Sequence, residues 1–249
     1  MAVSKSNLEK SVLTLVIPAF RESERLPKFL KTLLDQLPKD IHIIIVDDGS
    51  PATDFEILES QLQDLKHPQI ELLRYPINRG KGGAIEYGLE HSKSKWVGFL
   101  DADGSIPAYE VLALWTYAKT HEDVDFILSS RINLLGKNIN RTFKRHLFGR
   151  IFVTYLSLLF QVPVYDSQCG FKIFKATVFK KIAHLIQNKR WLWDTELIIL
   201  AHKFGSKMIE IPIDWKDVPG SKINLISDSL KMALGLWNFK NFLKKNQIK

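Results

Sequence analysis

Four short runs of branched apolar residues, each spaced from the next by a helix-like segment, constrain this chain more than any other feature. Val12-Leu13-Thr14-Leu15-Val16-Ile17, Ile41–Val46, Ile70–Tyr75 and Trp96–Leu100 read as buried strands. Between the first two, Leu26, Phe29, Leu30, Leu33, Leu34 and Leu37 recur at steps of 3, 1, 3, 1 and 3, one face of an α-helix. Phe55, Leu58, Leu62 and Leu65 mark a second helix, and a glycine-rich turn after the third strand opens another. This β-α-β-α-β-α-β order predicts an α/β fold: a Rossmann-like, mostly parallel sheet with helices on both faces.

Sheets of that kind bind ligands at the C-terminal ends of their strands. Those ends carry Pro18-Ala19-Phe20-Arg21-Glu22, Asp47-Asp48-Gly49-Ser50, Asn78-Arg79-Gly80-Lys81-Gly82-Gly83 and Asp101-Ala102-Asp103-Gly104. Acidic, small and glycine residues thus gather at one edge, as a nucleotide and metal pocket requires. Asp101 and Asp103, two residues apart on a turn, can both reach one hard cation and leave positions open for diphosphate oxygens. Asp48 can accept from a base N–H or a ribose hydroxyl, while Ser50 or Asp54 is placed to cap the following helix. Gly80-Lys81-Gly82-Gly83 opens a helix whose N–H groups and dipole can face an anion. It is neither a Walker loop nor a dinucleotide fingerprint, since Ile85 holds the third glycine position.

The second half is less regular. Leu147–Phe160 reads as a strongly apolar helix behind Arg141, Lys144 and Arg145. Lys175–Ile186 and Asp194–His202 are further helix candidates. Met208–Ile213 is a strand candidate whose Pro212 suggests an edge or a strand end. Residues 223–243 form a basic amphipathic helix. The expected organisation is a catalytic domain over 1–222 and a C-terminal amphipathic helix over 223–249. Charge follows the same division: 14 basic against 17 acidic residues up to position 120, then 21 against 10, in a chain of net charge +8. A basic second half suggests an anionic partner. The one cysteine, Cys169, excludes an internal disulfide and any multi-cysteine zinc site, and it reads as a packing thiol in a reducing compartment. None of the seven histidines pairs at ligand spacing. No signal peptide is visible in residues 1–11, and the apolar stretch Ile151–Val164 falls short of the roughly 20 residues of a membrane span.

The strand-end motifs, in this order, resemble those of family 2 glycosyltransferases with the GT-A fold. Ser129-Ser130-Arg131, Asp166-Ser167-Gln168-Cys169-Gly170-Phe171-Lys172, Arg190-Trp191-Leu192-Trp193-Asp194-Thr195-Glu196-Leu197 and Gly220-Ser221-Lys222 narrow the resemblance. They are similar to the dolichyl-phosphate β-glucosyltransferases and the polyprenyl-phosphate mannosyltransferases. The likeness spans about Leu13 to Lys222.

The resemblance implies roles for particular residues. Pro18, Ala19, Phe20 and Glu22 would border the nucleoside and Asp48 the base, with Gly80, Lys81 and Ala102 also on the nucleotide-sugar. Asp101 and Asp103 would hold nucleotide and a Mg2+ or Mn2+ ion. Arg131, Arg145 and Lys222 would gather the phosphates of donor and acceptor, and Asp194 matches a frequent position of a catalytic base. Two departures stand out. Ser105 takes a place where the mannosyltransferases often carry Gln, and the N-terminal membrane anchor of eukaryotic glucosyltransferases has no counterpart in this sequence. Gln187-Asn188-Lys189-Arg190-Trp191 matches the Gln-x-x-Arg-Trp of processive synthases, but it precedes Asp194 instead of following it and reads as a coincidence.

The implied activity is inverting transfer of a hexose, glucose from UDP-glucose, to a polyprenyl (dolichyl or undecaprenyl) phosphate. Alternatives are a GDP-mannose donor, a sugar or protein hydroxyl acceptor, or a nucleotide-sugar-binding module without catalysis. The expected partners are the nucleotide-sugar, the lipid phosphate and a membrane surface, with no nucleic acid. The expected location is peripheral, on the cytoplasmic face of a membrane. There the helix Leu147–Phe160 and the face Ile226, Leu230, Ala233, Leu234, Trp237 and Phe242 would lie on the bilayer.

Overall fold

The computed structural model describes residues 12–140, 142–218 and 225–248, with the backbone alone at 143, 145 and 225–228. Nine strands are described: β1 (Leu13–Ala19), β2 (Ile41–Asp48), β3 (Ile70–Tyr75), β4 (Trp96–Leu100), β5 (Phe126–Ser130), β6 (Ile139–Asn140), β7 (Phe171–Lys175), β8 (Met208–Pro212) and β9 (Trp215–Lys216). The helices are α1 (Leu26–Leu34), α2 (Ala52–Leu65), α3 (Lys81–His91), α4 (Ala108–Thr120), α5 (Phe143–Phe160), α6 (Ala176–Ile182), α7 (Trp193–Lys203) and α8 (Leu225–Lys245). Seven strands form one sheet in the order β3-β2-β1-β4-β7-β5-β8, and β6 pairs with β9 in a small parallel ladder. The four strands read from the sequence form the parallel half. Only β7 runs antiparallel, to β4 on one side and β5 on the other.

Side-chain alternation along the strands builds two cores. Leu13, Leu15 and Ile17 of β1 with Ile41, Ile43 and Ile45 of β2 pack under α1, α2 and α4. Val16, Ile44 and Val46 point the other way, under α3, α5, α6, α7 and α8. Strand residues buried on both faces explain why these runs are apolar throughout instead of alternating. Each fully buried Leu or Ile contributes about 1.5–3 kcal/mol.

Several expectations change. The helix expected over Lys175–Ile186 is present as α6 continued by a 3-10 turn at Ala183–Leu185, and ahead of it Phe171–Lys175 is a strand that the sequence reading lacks. The strand pattern was hidden because Lys172, a polar residue, is wholly buried. Two further elements join those read from the sequence: α4, whose buried Val111, Leu114, Trp115 and Ala118 recur at steps of 3, 1 and 3, and β5, buried along its whole length. The strand at Met208 does lie at the sheet edge and ends on Pro212, with Ile213 N–H making a last bond to Ser130 O of β5 at 3.1 Å. Neither Ser50 nor Asp54 caps α2, whose N-cap is Pro51. Ser50 Oγ accepts from Arg21 N–H at 2.9 Å, and Asp54 accepts from Ser23 Oγ at 2.6 Å. Both side chains tie the first strand-end loop to the second.

The C-terminal helix forms, but it is not wholly a surface element. Leu236, Phe239 and Leu243 are buried in the second core, and Phe242 packs against it. Phe239 meets Phe160 of α5 with ring centroids 6.1 Å apart. Leu230, Leu234 and Trp237 remain exposed. The expected lipid face is therefore narrower than the amphipathic pattern implied: Phe242 leaves it, and the side chain of Ile226 lies outside the described residues, as does the boundary at 222. No described helix is long and apolar enough to cross a membrane.

Candidate active site

The strand order reverses between β1 and β4, and there the chain ends of β1, β2 and β4 diverge into an open cleft of about 340 Å³. Pro18, Ala19, Phe20, Glu22, Asp48, Gly80, Lys81, Asp101, Ala102 and Asp103 line it, all of them residues singled out in the sequence. Arg25, Asn78, Arg190 and Trp191 line it too.

The first wall is set by a clasp. Arg25 grips the Glu22 carboxylate with two bonds, from Nη2 at 2.6 Å and Nε at 2.9 Å, which fixes the β1–α1 turn. Asp48 sets the second wall. Its Oδ1 accepts from Tyr75 Oη and from Arg79 N–H, both at 2.7 Å, and its Oδ2 accepts from Gly80 N–H at 3.0 Å. The Tyr75 hydroxyl is buried and bonded to this carboxylate, so its pKa is driven far above the usual phenol value. Asp48 is thus first the organiser of the glycine turn, whatever it holds in addition.

Part of the hydrogen-bonding capacity of that turn is already used within the protein. The N–H groups of Arg79 and Gly80 are taken by Asp48, and Gly83 N–H donates to Lys189 O at 2.8 Å. The glycines serve close packing. A Cβ on Gly80 would sit 2.8 Å from Lys189 O, and one on Gly82 would sit 2.5 Å from Trp193 Cγ. Gly80 also has φ +87°, which side-chain-bearing residues rarely adopt.

The floor is acidic. Asp101 follows β4 directly, and its N–H donates to Gly170 O at 2.9 Å. Lys81 Nζ lies 2.6 Å from Asp101 Oδ1. Burial pushes the Asp101 pKa up; Lys81 draws it back in part, while the carboxylates of Asp103 and Asp194 add to the rise. Burial opposes the Lys81 charge in turn, but Asp101, Asp194 and Asp103 outweigh it and hold the ammonium above its usual pKa. Asp103 Oδ1 accepts from Ser105 N–H at 2.9 Å. No group of three or more His, Cys, Asp or Glu side chains is assembled for a metal among the described residues. The donor set still fits a hard divalent ion: two carboxylates on one turn face the cleft, and a cation would offset both the burial of Asp101 and the repulsion of Asp103 and Asp194 that raise its pKa.

The remaining expected residues are placed differently. Asp194, at the start of α7, does not line the cleft. Its Oδ1 accepts from Gln168 Nε2 at 2.8 Å, and its Oδ2 lies 3.3 Å from the Nζ of buried Lys172. Arg131 also lies outside the lining. Its Nε and Nη2 donate to Asp166 at 2.6 and 2.8 Å, and its guanidinium stands 5.4 Å from the Trp215 ring centroid. Burial works against that charge, but Asp166 outweighs it, so the Arg131 pKa rises. The Arg145 side chain, Arg141 and Lys222 lie outside the described residues. Cys169 is buried and accepts from Ser129 Oγ at 3.0 Å, as a packing thiol does. Arg190 and Trp191 belong to a motif of the resemblance, but the sequence assigns them no role at the cleft. Arg25 carried only an i,i+3 spacing to Glu22, too common to single out.

Comparison with known proteins agrees with this geometry. A model described as glycosyl transferase family 2 matches residues 14–183. The chain is 35% identical to dolichyl-phosphate beta-glucosyltransferase ALG5A of Trichomonas vaginalis, over 90% of this chain and 71% of that protein. It is 32% identical to the dolichyl-phosphate beta-glucosyltransferase of Saccharomyces cerevisiae, over 92% and 74%. Among solved structures, glucosyl-3-phosphoglycerate synthase of Mycobacterium tuberculosis, with Mn2+, uridine diphosphate and glucosyl-3-phosphoglycerate, superposes with a TM-score of 0.71 at 12% identity. That match covers 95% of this chain and 82% of the other, and it shows a shared GT-A-like fold. The parallel β-α order, the acidic pair after β4 and these matches lead to one conclusion: the chain belongs to glycosyl transferase family 2 and is a glycosyltransferase.

Proposed function

We propose that the protein transfers glucose from UDP-glucose, with inversion at the anomeric carbon, to the phosphate of a polyprenyl phosphate such as dolichyl phosphate. The observation that carries this reading is the cleft itself, where Asp101 and Asp103 stand at a parallel-strand end beside Lys81 and Arg190. Its support from relatives is their printed activity, dolichyl-phosphate beta-glucosyltransferase. Phe20 and Asp48 border the nucleoside in this reading, and Lys81 and Arg190 meet the diphosphate charge. Asp101 and Asp103 would hold Mg2+ or Mn2+, which would supply stabilisation of negative charge on the departing nucleotide. The chain's own contribution is alignment of donor and acceptor and a fixed electrostatic field.

The placement of Asp194 favours a phosphate acceptor over a hydroxyl. A phosphate is already an anion and needs no strong base. Asp194 is held by Gln168 and Lys172 behind the cleft, which suits an orienting role. Arg131, Arg145 and Lys222 gather the phosphates of donor and acceptor in this proposal.

Such an acceptor keeps its phosphate at a membrane surface, so the enzyme must meet it there. Exposed Leu147, Ile151 and Leu158 on α5, and Leu230, Leu234 and Trp237 on α8, are the surface we assign to the bilayer. Exposed Lys144, Lys231, Lys240, Lys244 and Lys245 on the same two helices would meet anionic head groups, each adding about 1 kcal/mol. The location proposed is peripheral, on the cytoplasmic face. The test is a screen of nucleotide-sugars against a short-chain polyprenyl phosphate with Mg2+ or Mn2+, reading glycolipid and released nucleotide. UDP-glucose should give product. Transfer to hydroxyl acceptors with none to polyprenyl phosphate would overturn the reading.

A further inference from the structure

The Gln187–Trp191 segment reaches the cleft through Arg190 and Trp191, and the chain pins it from two directions. Lys189 O accepts Gly83 N–H at 2.8 Å, and Lys189 Nζ pairs with Glu86, both on α3. Behind the segment stands Glu196, in the first turn of α7 and only 2% exposed. Its Oε2 accepts the N–H groups of Gln187 at 2.7 Å and Asn188 at 3.0 Å. Asn188 Oδ1 then accepts Arg190 N–H at 2.8 Å. A chain of hydrogen bonds therefore runs from one buried carboxylate to Arg190, which lines the cleft beside its chain neighbour Trp191. Nothing in the chemistry described above uses Glu196. Burying a carboxylate is costly unless it is well bonded, and an uncharged residue would pack there more cheaply.

We infer that Glu196 is a positioning residue for the nucleotide-sugar: its carboxylate holds the Gln187–Trp191 segment against α3 so that Arg190 and Trp191 face the donor. This rests on reading the cleft as the donor site. Besides these, Trp193 N–H donates to Arg190 O at 3.3 Å and the Lys81 ammonium stands 5.7 Å from the Trp191 ring centroid, so loss of the carboxylate loosens Gln187 and Asn188 while leaving the sheet intact. The charged group that acts on Glu196 is Lys189 on the segment, itself paired with Glu86 on α3. Burial, offset in part by the two backbone bonds and by Lys189, raises the Glu196 pKa to about 7. Protonation weakens both bonds, since a neutral acceptor binds N–H groups less strongly than an ionised one.

The test uses the full chain, with UDP as the binding probe and UDP-glucose as donor. Glu196→Ala should raise the UDP dissociation constant and the donor KM about tenfold and leave the acceptor KM unchanged. Glu196→Gln, which keeps one acceptor oxygen, should fall between. Wild-type donor KM should climb toward the Gln value as pH drops from 8 to 6, while the Gln variant stays flat. In an Arg190→Ala, Trp191→Ala background, Glu196→Ala should add nothing, because coupled residues are not additive. Hydrogen exchange at the Gln187 and Asn188 amides, measured without nucleotide, should quicken in Glu196→Gln, which keeps a readout should the Ala variant not fold. Unchanged exchange, an equal rise in donor and acceptor KM, or full additivity with the loop variants would overturn the inference. Wild-type protein that binds no UDP would instead overturn the reading of the cleft on which it rests.

Discussion

Gly170→Ala should disable the acidic floor of the cleft without unfolding the sheet. Gly170 is outside the positive-φ glycines, so alanine meets no backbone strain there. A Cβ at this position would lie 2.5 Å from Asp101 Cγ and 3.0 Å from Asp101 Cβ. Carbon atoms pack at about 3.5–4.0 Å, so the Asp101 side chain must retreat by about 1 Å. The backbone cannot yield instead. Asp101 N–H is bonded to Gly170 O at 2.9 Å, and Leu100 and Phe171 are paired in the β4–β7 ladder. Rotation of Asp101 pulls its carboxylate away from Lys81 Nζ, now 2.6 Å distant, and out of line with Asp103. Overpacking of this kind costs about 1–3 kcal/mol of stability. A displacement of 1 Å in an aligned site costs about 10²-fold in rate. Thermal unfolding followed by circular dichroism reads the first, and glucosyl transfer across a Mn2+ titration reads the second. A folded variant with wild-type turnover and wild-type Mn2+ half-saturation would refute the reasoning.

Other outcomes follow from the same geometry. Asp103→Asn should lower turnover by about 10²–10³ with an unchanged melting curve, and excess chelator should do the same to the wild type; full activity of the variant in chelator contradicts the metal assignment. Glu196→Gln should stabilise the fold above pH 7 and not near pH 4. The folded carboxyl, at about 7, sits above its ordinary value of 4.5, so the native state holds the extra proton between those values, and wild-type stability falls as pH rises through that window. The gain is about 3 kcal/mol at pH 8, measured by urea unfolding; equal gains at both pH values disprove it. Leu230→Ser, Leu234→Ser and Trp237→Ser together should cut sedimentation with anionic vesicles at least about tenfold, and salt should weaken wild-type binding. These exposed positions make a cleaner test than truncation of α8, which would also remove buried Leu236, Phe239 and Leu243. Unchanged sedimentation takes α8 off the membrane face.

Local pattern alone was enough to read the parallel half of the sheet and the acidic end of the cleft. A strand buried on both faces must be apolar throughout, and a turn at its end must be small or polar. Both constraints are written within six or seven consecutive residues, as in Leu13–Ala19 and in Asp101-Ala102-Asp103. Helix spacing around Leu30 is equally local. What needed the tertiary structure were the pairings between distant segments. The glycine turn at the start of α3 looked open to an anion, yet the N–H groups of Gly80 and Gly83 are claimed by Asp48 and Lys189, and Trp193 closes over Gly82 from 111 positions away along the chain. Arg131 and Asp194 have the residue types of phosphate and base chemistry, but Asp166 and Lys172 had to be brought beside them before their charges could be assigned. The strand β7 stayed hidden because a lysine wholly inside a core contradicts every local rule until its carboxylate partner arrives from α7. Hydrophobic periodicity specifies which face of an element is buried. Only the packed fold decides which charge neutralises which, because that depends on distances of a few ångströms between residues far apart in the chain.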